Sequence, residues 1–301
     1  MEFVNVIKPG LFSTIQDLGR SGYRMYGVSV CGAMDSLSLR LANLLVGNAE
    51  GEAALEVTLT GPTLEFEADG VIAITGGDLS PMLNQSPVPM WKAVKVKAGD
   101  RLQFGQCKVG CRSYIAFSGG IAVPKVMNSR STFVRGGYGG MEGRPLKAGD
   151  RLPLGTPRIA SKRVVGRRLP PELIPDFEQE RSVRFILGPH DRAFTSQSVE
   201  QFLNSKYTVS NEADRMGYRL EGPKLEHVAG ADIISDYISI GTIQVPGSGL
   251  PIIHMADCGV SGGYTKLGVV VGVDIGFFAQ KKPGDTLQLE PIDMHTAKRE
   301  W

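Results

Sequence analysis

The chain has 301 residues, enough for about two domains that each bury a core without disulfide staples. Its 33 basic and 31 acidic residues leave a net charge of +2, so no global field calls for nucleic acid or an anionic membrane. With 38 glycines and 18 prolines against few aromatics, the composition predicts many tight turns and few long helices.

The first patterned segment is helical. Ser36 to Leu45 spaces Leu37, Leu41 and Leu44 or Leu45 three to four apart, with Asp35 or Ser36 as cap and Gly47 as stop. Short runs bounded by turn residues follow and read as strands: Val71 to Ile74, Val94 to Val96, Arg101 to Phe104 and Tyr114 to Phe117. The basic run Arg158, Lys162, Arg163, Arg167 and Arg168 lies in a proline-bounded stretch and reads as a solvated connector. Taking residues 161–175 as the joint gives an N-terminal domain over 1–160 and a C-terminal domain over 176–301. Beyond it, Val183 to Leu187 reads as a strand. A second helix opens at Thr195 or Ser196 and carries Val199, Phe202 and Leu203 on one side. Two short helices among many strands predict a mainly β fold, a barrel or sandwich rather than alternating βαβ units.

The halves echo one another. Gly61-Pro62-Thr63-Leu64-Glu65 recurs as Gly222-Pro223-Lys224-Leu225-Glu226, and Gly-Asp turns lead into strands at Gly99-Asp100, Gly149-Asp150 and Gly284-Asp285. In order, these echoes suggest two copies of one β-rich unit.

No run of about 18 apolar residues is present, so the protein is expected to be soluble and cytoplasmic. Cys31, Cys107, Cys111 and Cys258 follow no disulfide framework, and Cys107 with Cys111 lacks the two further ligands a zinc site needs. Reduced thiols and no metal are expected. The chain lacks a Gly-x4-Gly-Lys-Ser/Thr phosphate loop, a Gly-x-Ser-x-Gly elbow and an Ala-Met-Lys-Met biotin site. Of four histidines, His254 sits in an apolar strand just before Asp257, where a backbone partner is the simpler expectation.

Four clusters join glycine to charged or amide residues: 14–23, 135–144, 214–223 and 241–264. Glycine pairs let backbone N–H groups approach a ligand, and a neighbouring arginine offers a planar fork for a carboxylate or phosphate. Together these suit a small acidic, amide-like or phosphorylated substrate. The same residues also serve as turns and as Arg–Asp pairs that hold loops.

As a set, the clusters resemble the KipA, or PxpC, family, the carboxyltransferase-like component also known as allophanate hydrolase subunit 2. The resemblance runs through Thr14-Ile15-Gln16-Asp17-Leu18-Gly19-Arg20, Gly32-Ala33-Met34-Asp35, Ala42-Asn43-Leu44-Leu45-Val46-Gly47-Asn48, Leu55-Glu56 and Ser129-Arg130-Ser131-Thr132. It continues in Asp214-Arg215-Met216-Gly217-Tyr218-Arg219-Leu220 and Gly241-Thr242-Ile243-Gln244-Val245-Pro246. It implies two cyclophilin-like β-barrel domains related by internal duplication. It also implies work in a complex with a KipI-like (PxpB-like) and a LamB-like (PxpA-like) subunit, opening the lactam of 5-oxoproline at the expense of ATP. Two alternatives come with it: a non-catalytic antagonist that binds a KipI-like kinase inhibitor, and a carboxyltransferase component of a urea carboxylase-like system.

On this reading ATP binds at a site shared with a partner, and any biotin arrives on another chain. Asp257 is the general acid/base candidate, Lys266 counters developing charge, and Tyr264 with Gln244 orients a small lactam or amide. Arg215, Gly262, Gly263, Arg20, Gln16 and Arg144 complete the substrate-binding candidates. One stretch departs from the family pattern. Where members carry Arg-Gln-Thr-Thr-Gly-Gly-Tyr-Pro, Asp257 is followed here by Cys258-Gly259-Val260-Ser261-Gly262-Gly263-Tyr264-Thr265.

Overall fold

A computed structural model describes residues 2–300. The chain forms two compact units. Unit 1 holds the residues up to Arg20 and Cys31–Glu178; unit 2 holds Ser21–Val30 and the chain from Gln179 on.

Unit 1 contains β1 (Glu2–Lys8), β2 (Phe12–Gln16), helix α1 (Ser36–Leu45), β3 (Ala54–Thr58), β4 (Thr63–Phe66) and β5 (Gly70–Asp78). It continues with β6 (Pro81–Leu83), β7 (Ser86–Pro87), β8 (Ala93–Val96), β9 (Arg101–Phe104), β10 (Val109–Phe117) and β11 (Arg151–Leu154). One sheet runs β11-β1-β4-β9-β6-β7 and the other β2-β3-β10-β5-β8. Strand alternation explains the two hydrophobic layers. Ile72 and Ile74 of β5 join Val4, Leu64, Leu102, Ile115 and Leu152 in the core shared by the sheets. Their neighbours Val71 and Ala73 turn outward under α1, against Leu39 and Ala42.

Helix α1 is capped as its sequence predicts, the Asp35 carboxylate accepting from the Ser38 N–H at 3.0 Å. Its buried face differs from the expected leucine stripe: Leu39, Ala42, Asn43 and Leu45 are covered, while Leu37 and Leu44 are each 49% exposed. Polar anchoring sets that rotation. Asn43 Nδ2 donates to the carbonyls of Glu50 and Glu52, at 3.3 and 2.7 Å, and Asn48 Nδ2 donates to Asn43 Oδ1 at 2.9 Å. The basic residues 158, 162, 163, 167 and 168 are exposed, but Val164 among them is fully buried beside α1.

Unit 2 contains β12 (Val183–Leu187), α2 (Ser196–Leu203), β13 (Lys206–Val209), β14 (Gly217–Glu221), β15 (Asp232–Tyr237) and β16 (Thr242–Val245). Then come β17 (Ile252–His254), β18 (Ser261–Val270), α3 (Gly272–Ala279), β19 (Thr286–Pro291) and α4 (Met294–Glu300). The sheet order β12-β19-β13-β14-β17-β16-β18 closes on itself because β18 also pairs with β12. That closure makes a barrel, with β15 on the free half of β18. Phe185, Phe202 and Tyr207 stack in its interior, with centroids 5.9 and 5.2 Å apart. Helices α3 and α4 were not expected. Helix α3 (Gly-Val-Asp-Ile-Gly-Phe-Phe-Ala) is apolar and glycine-punctuated, so it carries no helical period.

The Gly-Asp echo has a structural basis, whereas the Gly-Pro echo does not mark equivalent elements. Gly99, Gly149 and Gly284 all have φ between 86° and 89°, and each following Asp accepts from the N–H of the Lys three residues before it. The glycine N–H groups donate to the carbonyls of Phe66, Val6 and Val209, at 2.8, 2.8 and 2.9 Å. Thus β4–turn–β9 corresponds to β13–turn–β19. Gly61-Pro62 leads into β4, but Gly222-Pro223 follows β14 and enters no strand. A Gly-Pro turn serves at either end of a strand.

Candidate functional site

The candidate residues fall into a group in each unit. In unit 2 the group is built on β16, β17 and β18, where pairing sets Gln244 opposite both Ile252 and Lys266. Gln244 is buried. Its Nε2 donates to the Tyr264 carbonyl at 3.2 Å, which fixes the amide so that Oε1 accepts from His254 Nε2–H at 2.9 Å. Burial pushes His254 down to about 4, so the ring is neutral near pH 7. Gly262 is required where it stands: a Cβ would lie 2.7 Å from Gln244 Nε2 and collide with Ile238. A Cβ at Gly263 would meet only ordinary contacts, the Ile233 carbonyl at 3.5 Å and Ser235 Oγ at 3.7 Å, and Tyr264 is 41% exposed.

Lys266 is buried, and its Nζ donates to Asp236 Oδ2 and, at 2.9 Å, to the Tyr237 carbonyl. The same interaction with Lys266 holds the Asp236 carboxyl below its ordinary range. The Lys266 N–H donates to His190 Nδ1 at 3.2 Å. Arg215 and Asp257 are buried together as a bidentate pair, Nε to Oδ2 at 2.9 Å and Nη2 to Oδ1 at 2.8 Å. The Asp257 N–H also donates to the Arg215 carbonyl at 2.8 Å. Both carboxylate oxygens therefore accept from Arg215, the loop-holding arrangement.

Segment Ser21–Val30 belongs to unit 2. Arg24 donates to the Ile238 carbonyl and lies 4.6 Å from the Tyr237 ring, while Ser29 Oγ donates to the Cys258 carbonyl at 2.8 Å. Burial pushes the Cys258 thiol up, against the pull of Arg24 hydrogen-bonded to it.

In unit 1, residues 14–20 of the first cluster meet the stretch from Ser129 to Arg144. Asp17 is the hub: Oδ1 accepts from Gly19 N–H, Ser129 Oγ and Ser131 Oγ at 2.8, 2.7 and 2.6 Å, and Oδ2 accepts from Arg130 N–H at 2.6 Å. This network explains why Thr14–Arg20 and Ser129–Thr132 share chemistry. Arg20 and Gln16 are fully buried beside it, and Arg20 Cζ lies 5.0 Å from the Tyr138 ring. Arg144 is elsewhere engaged, gripping Asp150 through Nη1 and Nη2 at 2.8 and 2.9 Å, which raises its pKa and lowers that of Asp150. Among the described residues no three His, Cys, Asp or Glu side chains converge to hold a metal ion, and no helix is long and apolar enough to cross a membrane.

Sequence reasoning missed His190 and Asp236: His190 reaches Lys266 from the end of β12, which pairs with β18, and Asp236 from β15, which pairs with the other part of β18. It also missed Asp17 as a hub, although three hydrogen-bonding partners crowd into Ser129–Ser131.

These features are those of a paired carboxyltransferase-type β fold. Residues 26–291 match the family "Carboxyltransferase domain, subdomain A and B", and the chain belongs to that family. It is 38% identical over 287 residues to the 5-oxoprolinase C subunit of Haemophilus influenzae, spanning 95% of this chain and 90% of that protein. The Escherichia coli K12 protein of the same name is 37% identical, spanning 98% and 93%. The crystal structure of the Kluyveromyces lactis urea carboxylase superposes with a TM-score of 0.92 at 36% identity, over 99% of this chain and 28% of that one.

Proposed function

We propose that this chain is one subunit of an ATP-dependent 5-oxoprolinase, working on the lactam of 5-oxoproline with KipI-like and LamB-like subunits. One observation carries the reading: the likeness to proteins named as the 5-oxoprolinase C subunit extends across 90% of the Haemophilus protein, whereas in the urea enzyme it covers a 28% fragment of a longer chain. ATP enters as a substrate at a site completed by a partner, and this chain carries no covalent biotin.

The polar face of β16–β18 supports the reading. Gln244 is held rigid by His254 and the Tyr264 carbonyl, Tyr264 is exposed to a reactant, and Gly262 leaves Gln244 its place where a side chain would displace it. Lys266 supplies the positive charge beside it. Asp257, released from Arg215, is the acid/base.

The test is reconstitution: purified chain, the two partner subunits, ATP and 5-oxoproline, with glutamate measured. ATP-dependent glutamate that avidin does not suppress is the expected result. A second reading, capture of a KipI-like inhibitor without chemistry, is favoured by one fact: Arg215, Asp257 and Lys266 are all engaged in ion pairs. Tight partner binding without turnover on any lactam would sink the enzymatic reading in favour of that one. Avidin-sensitive turnover would point to carboxyl transfer.

A further inference from the structure

We propose that Gln16 and Arg20 form an internal subsite of unit 1 for a small anion that carries an N–H group beside its negative charge. A lactam acid has that pairing, a ring N–H next to a carboxylate. The ligand's identity rests on the function proposed above; its chemical class rests on the geometry alone.

Arg20 is 1% exposed. Its Nη2 donates to the Ser131 carbonyl, but among the described residues neither Nε nor Nη1 meets an acceptor. No carboxylate pairs with it there. The neighbouring Asp17 gives both oxygens to Gly19, Ser129, Arg130 and Ser131 instead. The Tyr138 ring, 5.0 Å from Cζ, offers a π face and no negative charge. Gln16 is equally buried, and its Nε2 donates to Thr14 Oγ1 at 3.0 Å and to the Thr132 carbonyl at 3.3 Å. Those bonds fix the amide, and its Oε1 is left with no donor.

The two side chains thus hold the carbonyls of consecutive residues, 131 and 132, and between them leave a cation, two N–H donors and one acceptor unanswered. Buried charges are ordinarily paired, and buried polar atoms ordinarily bonded. A carboxylate answers Arg20 and an adjacent N–H answers Gln16. Sulfate, which keeps no proton near neutral pH, answers only the first, and a neutral amide only the second. Gly139 closes over the guanidinium as only glycine allows: its φ is 75°, and a Cβ there would lie 3.0 Å from Arg20 Nη2.

The experiment titrates the full chain with 5-oxo-L-proline, 2-pyrrolidinone and inorganic sulfate by calorimetry. The lactam acid is expected to bind about tenfold or more tightly than either of the others, since each lacks one charged or polar bond. Gln16→Glu adds a carboxylate to the pocket from within. It is expected to raise the melting temperature and abolish binding of 5-oxo-L-proline. Gln16→Leu, which keeps the cation, is expected to weaken the lactam acid about tenfold while leaving sulfate unchanged. Equal binding of sulfate and lactam acid, no binding by the wild-type chain, or unaltered binding by the Gln16 variants each overturns the subsite. Turnover separates this from the wider reading: a reconstituted complex that works equally well with Gln16→Glu discards the subsite and keeps the enzyme. A chain that binds the lactam acid through Gln16 yet supports no turnover does the reverse.

Discussion

Acidification from pH 7 to pH 5 charges the His254 ring in the unfolded chain but not in the folded one, where burial pushes it from the ordinary 6.5 down to about 4. Between those two values the unfolded state binds more protons, so stability falls as pH drops through the window and levels off below it. A tenfold change in proton affinity corresponds to about 1.4 kcal/mol, and integrating from pH 7 to pH 5 gives about 2 kcal/mol from this one side chain. Other groups titrate too, so the measurement is a difference. Urea unfolding of the wild type and of His254→Gln is compared at both pH values, the glutamine keeping a donor toward Gln244. The variant should lose about 2 kcal/mol less than the wild type over the interval. The imidazole titration by NMR supplies the second readout. A His254 resonance that titrates near its ordinary value, or equal losses in both proteins, would refute the account of a neutral ring locked to Gln244.

Asp257→Ala leaves the Arg215 guanidinium buried without its partner and should cost about 3–5 kcal/mol, whereas the double change Arg215→Met with Asp257→Leu should cost far less. Thermal melts of the two variants against the wild type check this; equal losses would mean the pair is not the buried unit that its geometry makes it. Gly262→Ala drives a methyl into Gln244 and Ile238, with an expected cost of about 1–3 kcal/mol and loss of turnover in the complex. Melting and glutamate release measured on one preparation test both halves.

Much of the fold was legible because its signals are local. Asp35 caps α1 and Thr195 caps α2 through side chains a few residues from their targets, and each Gly-Asp turn is closed by the Asp itself. What was lost is long-range or aperiodic. The face that α1 buries depends on Asn43 reaching the carbonyls of Glu50 and Glu52, which no leucine count reveals. The site was legible as a set of clusters but not as a set of roles. Arg215, Asp257, Arg144 and Lys266 have the types that bind substrates, yet each meets an opposite charge of its own chain: Arg215 and Asp257 each other, Arg144 Asp150, and Lys266 Asp236. Sequence spacing does not contain that information. Gln16 and Arg20 attract no more notice in the sequence than Arg144, and what sets them apart is burial with Gln16 Oε1 and Arg20 Nε and Nη1 unbonded among the described residues.

The stretch after Asp257 shows a charge placed by the fold rather than by its position along the chain. The arginine that the family carries directly after this aspartate is Cys258 here, 1% exposed, and alone that change removes a guanidinium from the loop. The structure supplies one from another segment of unit 2. Arg24 hydrogen-bonds the Cys258 thiol, donates to the Ile238 carbonyl and lies over Tyr237, whose own carbonyl accepts from Lys266. Arg24 thus sets a guanidinium beside Cys258 and the Lys266 strand pair. Arg24→Ala should then lower turnover of the reconstituted complex about tenfold or more, the loss expected for a charged hydrogen-bond donor. Cys258→Arg alone should also lower it, by setting two guanidinium groups together. Combined, the changes should recover most of the activity, a coupling that a double-mutant cycle isolates. Additive losses in the double variant would show that Arg24 only fastens segment 21–30 and that the loop has lost its arginine outright.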